Sequence, residues 1–302
     1  MCFALKNVLA VALAAFTSGC GLRDQGLAPR PPVPMEPARV EHVILLSIDG
    51  GKPTVIRGGS MPLTTRRAEE GASSWEARTV FPSITLVSHT SMLTGLTPER
   101  HRVDWNSWRP EAGPVAIPTV FELLERQGHK TALFATKEKL RHLDRPGTIA
   151  HVEIAAQQAK LIAEAAARHI LAHRPSFVFV HFSEPDLAGH SHGWGSEAQR
   201  SALLEVDQAI AVLERAVAEA KIADQTVFLV TADHGGHDRT HGHDTRDDMT
   251  IPWIAFGSHV RRGHQLRELI TTYDTAATVL WLLGAPVPSE WDGRPVTSAF
   301  TE

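Results

Sequence analysis

The chain has 302 residues, 43% of them hydrophobic and 21% charged, an ordinary globular mixture with enough apolar side chains for a sizeable core. Its formal net charge is −4 and it carries no long basic run, which argues against a nucleic-acid duplex as partner. Seventeen histidines, several of them clustered late in the chain, raise the expectation of metal.

The chain opens on MCFALKNVLAVALAAFTSGC, one lysine followed by an apolar run and then small residues before Cys20. This is the pattern of a signal peptide, and the run is short for a membrane span. Residues 1–20 are therefore expected to be a lipoprotein-type signal, because TSGC resembles a bacterial lipobox, whose cysteine is lipidated after cleavage. Thr17 at the first position of that box leaves plain signal cleavage open too. Either route implies an exported protein, periplasmic or in the cell envelope, and the first attaches it to a membrane through Cys20. Cleavage removes Cys2, so no internal disulfide can form. Residues 21–40 are rich in proline and read as a tether. Residues 41–302 follow as one globular domain without internal repeats.

Within that domain, HVILLSIDG (42–50), SFVFVHFSEPD (176–186) and TVFLVTADHGG (226–236) are continuously apolar and read as buried parallel strands. KTALFAT (130–136) and IPWIAFG (251–257) complete the set. Helical periodicity covers 155–174 and 196–221, with shorter helices at 118–127 and 274–284. The alternation predicts an α/β fold, a three-layer α/β/α sandwich around a mostly parallel central sheet.

In such sheets ligands bind beyond the carboxyl ends of the strands. Three strands deliver Asp49, Asp186 and Asp233 to that edge, and His190, His234 and His241 stand close by in EPDLAGHSHG and DHGGHDRTHGH. A single acid there caps a helix or serves a turn. Three carboxylates with three imidazoles and no thiolate suit two divalent ions, Zn²⁺ foremost and Mn²⁺ as the alternative. Two such ions about 3.5–4 Å apart form a clamp for in-line displacement at phosphorus. His181, His192, His237 and His243 read as supporting or loop residues.

FPSITLVSHTSMLTG (81–95) holds six side-chain hydroxyls. Helical pattern begins at Thr85 and Gly95 is a natural stop, so Thr85 is expected at the N-cap. A helix N-terminus stabilises both an alkoxide and a phosphate, which makes Thr85 the leading nucleophile and Ser83 its competitor by position.

These segments, in chain order ILLSIDG, FPSITLVSHTSMLTGLTPERH, EPDLAGH, VTADHGG and THGHD, resemble the alkaline phosphatase superfamily. The branch they most resemble is the type I phosphodiesterase or nucleotide pyrophosphatase group, and the resemblance runs from about residue 42 to the end. It implies an alkaline phosphatase-like fold and a metal-dependent hydrolase of phosphate esters, acting on a small-molecule ester or nucleotide. It places the nucleophile at Thr85 and a covalent phosphothreonine on it. It assigns Asp186, His190 and His241 to one metal, and Asp49, Asp233, His234 and Thr85 to the other. Asn106 would orient a phosphate oxygen.

The segment departs from the family at Leu86-Val87-Ser88, where F-P-N is common, and at His101-Arg102, where a glycine is lost. No formylglycine signature of a sulfatase is present. The threonine nucleophile implies a phosphodiesterase or nucleotide pyrophosphatase, with a phosphomonoesterase as the alternative. A monoester dianion asks for an extra cation, which Arg100, Arg102 or Arg109 could supply. Trp105, Trp108, Trp194 and Arg109 are candidates for a base or an apolar leaving group. Two rivals differ in kind. One is a hydrolase using bridging hydroxide, in which Thr85 only caps. The other is a non-catalytic metal-binding surface lipoprotein.

Overall fold

The computed structural model describes residue 1, residues 40–156 and residues 158–301. The signal segment, Cys20 and the tether up to residue 39 lie outside the described residues.

Strand β1 (His42–Ile48) is HVILLSI, buried throughout. Val43 and Leu45 enter one hydrophobic core, while Ile44, Leu46 and Ile48 enter a second core on the opposite face of the sheet. A strand covered on both sides has no wet face, so its sequence does not alternate. β5 (Phe177–Phe182) and β6 (Thr226–Ala232) flank β1 in parallel. β3 (Thr131–Ala135) and β4 (His151–Ile154) continue the parallel block beyond β5. On the other side β7 (Thr250–Gly257) runs antiparallel to β6, followed by β2 (Ala72–Arg78) and the two-residue β8 (His264–Gln265). The order is β4-β3-β5-β1-β6-β7-β2-β8, a mostly parallel eight-stranded sheet.

Helices Ala159–His173 and Glu197–Glu219 cover one face through Ile162, Ile170, Leu203 and Ile210. Helices Thr85–Thr94, Val120–Glu125 and Asp274–Leu282 cover the other through Leu86, Met92, Phe121 and Leu280. The result is the expected three-layer sandwich.

Two expectations need correcting. The strand read over 176–186 stops at Phe182, and a helix, Glu184–His192, begins with Pro185 in its first turn. Proline lacks an N–H and fits a first helical turn better than a strand interior. Asp186 and His190 therefore share one helix face, four residues apart, instead of hanging from a strand end. Second, Ile84, extended at φ −127° and ψ 150°, is the cap of the next segment, and Thr85 is the first helical residue. Thr85 does no capping, which leaves its hydroxyl uncommitted to the helix. Among the described residues no helix is long and apolar enough to cross a membrane.

Candidate active site

Asp49 directly follows β1 and Asp233 directly follows β6, so adjacent parallel strands set two buried carboxylates side by side. The Glu184–His192 helix brings Asp186 and His190, and the loop after β6 brings His234 and His241. Asp186, His190 and His241 gather their ligand atoms within 4.8 Å of one another, as do Asp49, Asp186 and His234. His234 Nε2 lies 3.4 Å from Asp49 Oδ1 and 3.3 Å from Asp233 Oδ2. His190 Nε2 and His241 Nε2 lie 3.4 and 3.5 Å from Asp186 Oδ1. The structure thus joins all six sequence-proposed ligands in one place.

The protons explain why these contacts are not ordinary hydrogen bonds. His234, His241 and His190 turn Nδ1 toward the carbonyls of Gly235, Ser83 and Arg239, at 2.9, 2.8 and 3.0 Å. A carbonyl only accepts, so Nδ1 carries the proton and a neutral ring presents the Nε2 lone pair inward. Burial holds His234 below the usual imidazole range, and burial with the neighbouring His234 lowers His241 to about 4. Lone pairs therefore face carboxylate oxygens across the site. His190 is more exposed, and the adjacent Asp186 carboxylate favours its protonated form and raises it. Asp49 Oδ1, Asp186 Oδ1, Asp233 Oδ2 and His234 Nε2 have no hydrogen-bond partner although buried. Acceptors converging without a donor fit divalent cations and fit little else.

The carboxylates do not titrate alike. Burial opposes ionisation of Asp49, but the Lys137 charge and the His181 bond win and hold it well below the ordinary range. Burial and the Asp49 charge push Asp233 well above it.

Five of the six hydroxyls in the 81–95 segment have structural partners. Ser83 Oγ donates to the His243 carbonyl, Thr90 Oγ1 to Leu86 O, and Thr94 Oγ1 to Thr90 O. Ser88 Oγ donates to Asp233 O at 2.7 Å, and Ser91 Oγ pairs with His101 Nε2. Thr85 Oγ1 instead faces the Lys137 ammonium, 3.3 Å away, which also touches Asp186. Asn106 Oδ1 accepts from Leu86 N–H at 3.0 Å, which orients its amide nitrogen as a donor beside the helix start. That N–H is then engaged by Asn106 and is not free for substrate. Gly95 stops the helix at φ 67°, and a Cβ there would meet the Trp291 ring at 2.2 Å.

Residues 43–249 match the family model described as type I phosphodiesterase / nucleotide pyrophosphatase. The chain belongs to that family. It is 26% identical over 220 residues to bis(5'-adenosyl)-triphosphatase enpp4 of Xenopus laevis, covering 64% of this chain and 46% of the relative. A stretch of 120 residues is 32% identical to 2,3-bisphosphoglycerate-independent phosphoglycerate mutase of Clostridium botulinum, 39% of this chain and 22% of the mutase. The chain spans about half or less of the length of these relatives. Murine ectonucleotide pyrophosphatase/phosphodiesterase 5, an inactive threonine-to-alanine form with AMP, superposes with a TM-score of 0.74 at 14% identity. That match covers 86% of this chain and 100% of the murine one. A 2-O GAG sulfatase superposes at 0.73, also with 14% identity, over 87% of this chain and 74% of its own. The fold is that of the alkaline phosphatase superfamily, and the chemistry of this phosphodiesterase family is phosphate-ester hydrolysis.

The aromatic candidates of this phosphodiesterase-family chain have protein partners. Trp194 donates from Nε1 to Gly50 O at 3.1 Å and packs its edge against the His190 and His241 rings. It supports the candidate ligands from the side. A Cβ on Gly236 would lie 2.2 Å from its ring, so only glycine lets the loop pass. Trp105, Trp108 and Arg109 gather around His142, which accepts from Arg109 N–H at 3.1 Å, while the Arg109 guanidinium lies over the Trp105 ring. They flank Asn106 as one cluster. Of the arginines proposed as extra cations, Arg100 pairs with Asp292 at 2.9 Å.

Two polar residues of the site, His89 and Lys137, were not singled out from the sequence, whereas His181 was read as a supporting or loop residue. His181, on β5, donates from Nε2 to Asp49 Oδ2 at 2.9 Å. His89 donates from Nδ1 to Thr85 O and faces Ser47 Oγ with Nε2, which anchors the first helical turn. Lys137 follows β3 and sits between carboxylates 2.6 Å away on either side. A histidine one helical turn past Thr85 was a readable signal for His89. A lone lysine after a strand gave none.

Proposed function

We propose that the chain is a two-metal phosphate-ester hydrolase that passes its substrate's phosphoryl group to Thr85 and then to water. One observation carries this reading: the convergence of unpartnered Asp49 Oδ1, Asp186 Oδ1, Asp233 Oδ2 and inward Nε2 lone pairs beside the hydroxyl of Thr85, which accepts from the Lys137 ammonium and is not tied into the helix. Asp49, Asp233, His234 and Thr85 would hold one ion, and Asp186, His190 and His241 the other. Zn²⁺ is the ion that best suits this N/O set, with Mn²⁺ second. When bound, the ions supply positive charge that lowers the pKa of the Thr85 hydroxyl and stabilises the leaving oxygen. Thr85 Oγ1 then forms a bond to phosphorus as the bond to the leaving alcohol breaks. The Asn106 amide nitrogen donates to a nonbridging oxygen. Water attacks the phosphothreonine and frees Thr85.

The relatives support small-molecule phosphate esters, nucleotides among them, as the first substrates to try. The inactivity of the murine threonine-to-alanine form supports a threonine nucleophile. The N-terminal segment supports export to the periplasm or envelope. Lipidation of Cys20 is part of the same proposal, tested by membrane fractionation of wild type and Cys20→Ala.

The deciding experiment is Thr85→Ala in the zinc-loaded full chain. Turnover of an aryl phosphate ester should fall by at least about a thousandfold, as for loss of a nucleophile, with zinc content unchanged. Near wild-type turnover would refute the nucleophile and favour bridging hydroxide. A chain binding less than one zinc would favour a non-catalytic role.

A further inference from the structure

We infer that His237, His243 and Asp248 form a further divalent-cation site, suited to zinc, apart from the pair of ions proposed above. None of the three belongs to that pair, and the inference does not depend on the Thr85 reading. Asp248 is fully buried, whereas the side chains of His237 and His243 are 30% and 59% exposed. Each imidazole turns Nδ1 to a different oxygen of the one carboxylate. His237 Nδ1 lies 2.7 Å from Asp248 Oδ1, and His243 Nδ1 lies 3.3 Å from Asp248 Oδ2. One ligand atom from each residue falls within 4.8 Å of the other two.

Zinc ligands stand about 2.0–2.1 Å from the ion, so neighbours in a tetrahedral shell are about 3.3 Å apart. The His243–Asp248 pair already has that spacing. The His237–Asp248 pair is a hydrogen bond that opens by about half an ångström when an ion replaces its proton. The proton leaves Nδ1 of the neutral ring and one is taken up at Nε2, so the ring stays neutral. Two imidazole nitrogens with one carboxylate favour zinc over calcium or magnesium, which prefer oxygen shells. Three protein ligands leave a fourth position for water on the exposed side. The frame holds its shape without an ion. Gly235 and Gly236 N–H donate to the Asp248 and Asp247 carbonyls, both at 2.8 Å, and His237 and Thr240 exchange backbone hydrogen bonds. Asp248 Oδ2 also accepts from His243 N–H at 2.9 Å. A carboxylate has about four lone-pair sites, so lone pairs remain for an ion. The charges of Asp238 and Asp247 reach His237 and favour a cation there. Between the two imidazoles lies His241, which donates from Nδ1 to Ser83 O, while Ser83 Oγ donates to the His243 carbonyl. An ion on His237, His243 and Asp248 would close this loop and hold His241 against the segment leading into Thr85.

The test is a calorimetric zinc titration of the full chain after EDTA treatment, with elemental analysis of the product. Wild type should take up one more zinc per chain than His243→Ala, a change at an exposed side chain that leaves the fold intact. His243→Cys should restore that ion, because a thiolate holds zinc at about 2.3 Å. With cobalt in place of zinc, His243→Cys should add a thiolate-to-cobalt charge-transfer band that wild type and His243→Ala lack. At saturating zinc, turnover of an aryl phosphate ester by His243→Ala should stay within about threefold of wild type, because the ion lost is not one of the pair. Equal zinc uptake by wild type and His243→Ala would overturn the proposal, as would an ion that His243→Cys does not restore. A fall in turnover of about tenfold or more would also overturn it, because the ion lost would then serve catalysis. The difference between wild type and His243→Ala is one ion however many the catalytic centre binds, so failure of the two-ion reading leaves this test intact.

Discussion

Stripping divalent cations should destabilise the fold, and Asp233→Asn should shrink that effect. Asp49 Oδ1, Asp186 Oδ1, Asp233 Oδ2 and His234 Nε2 are buried and unpartnered. Each such atom costs roughly 1–3 kcal/mol, so the four together strain the chain by about 4–12 kcal/mol when nothing positive lies between them. A ligand at a hundred times its Kd returns about 2.7 kcal/mol per site, or about 5 kcal/mol for two ions. At roughly 2–4 °C per kcal/mol for a domain of this size, Tm with zinc should exceed Tm in EDTA by about 10–20 °C. Burial and the Asp49 charge already push the Asp233 carboxyl upward. In Asp233→Asn the amide nitrogen replaces Oδ2 and can donate to His234 Nε2, 3.3 Å away in the wild type. The variant should therefore melt above wild type in EDTA, below it in zinc, and bind fewer ions. Scanning calorimetry with and without EDTA, paired with elemental analysis, measures all three. A zinc-to-EDTA difference under about 2 °C, or a variant less stable than wild type in EDTA, would refute the reasoning.

Two further expectations concern the frame of the site. Gly236→Ala drives a Cβ into the Trp194 ring and should cost about 1–3 kcal/mol in urea unfolding, with weaker zinc binding as His190 and His241 lose their support. Trp194→Leu in the same chain should recover part of the stability, and no recovery would argue against the clash. His101 is buried and lowered to about 4 chiefly by that burial. The unfolded imidazole, near 6.5, takes its proton first, so stability is complete above about pH 6.5 and falls as pH drops toward 4, by at most about 3 kcal/mol. His101→Gln should flatten that slope in urea titrations at pH 7 and pH 5, and identical slopes would count against it.

The sequence by itself determined the parallel sheet and the donor set. β1, β5 and β6 sit between two helical layers, and burial on both faces demands unbroken apolar runs, which are visible without a structure. Asp49 and Asp233 follow those runs at once, so their place at the sheet edge was readable, and so was the Gly95 stop behind Thr85. Local patterns report local causes, and the remaining features have distant ones. The Pro62–Glu70 helix has no side-chain cap of its own, and its N-terminal N–H groups at Leu63 and Thr64 are accepted by Asp207 at 2.8 Å from a helix far along the chain. β2 is a serine-rich segment that becomes a strand because β7 pairs with it. Trp194 is a strut because the loops at Gly50 and Gly236 and the Glu184–His192 helix meet at its ring, and Lys137 lies between Asp49 and Asp186 because β3 is two strands from β1 in the folded order. A charge acquires its role from what surrounds it in space, and that was fixed only when the sheet assembled.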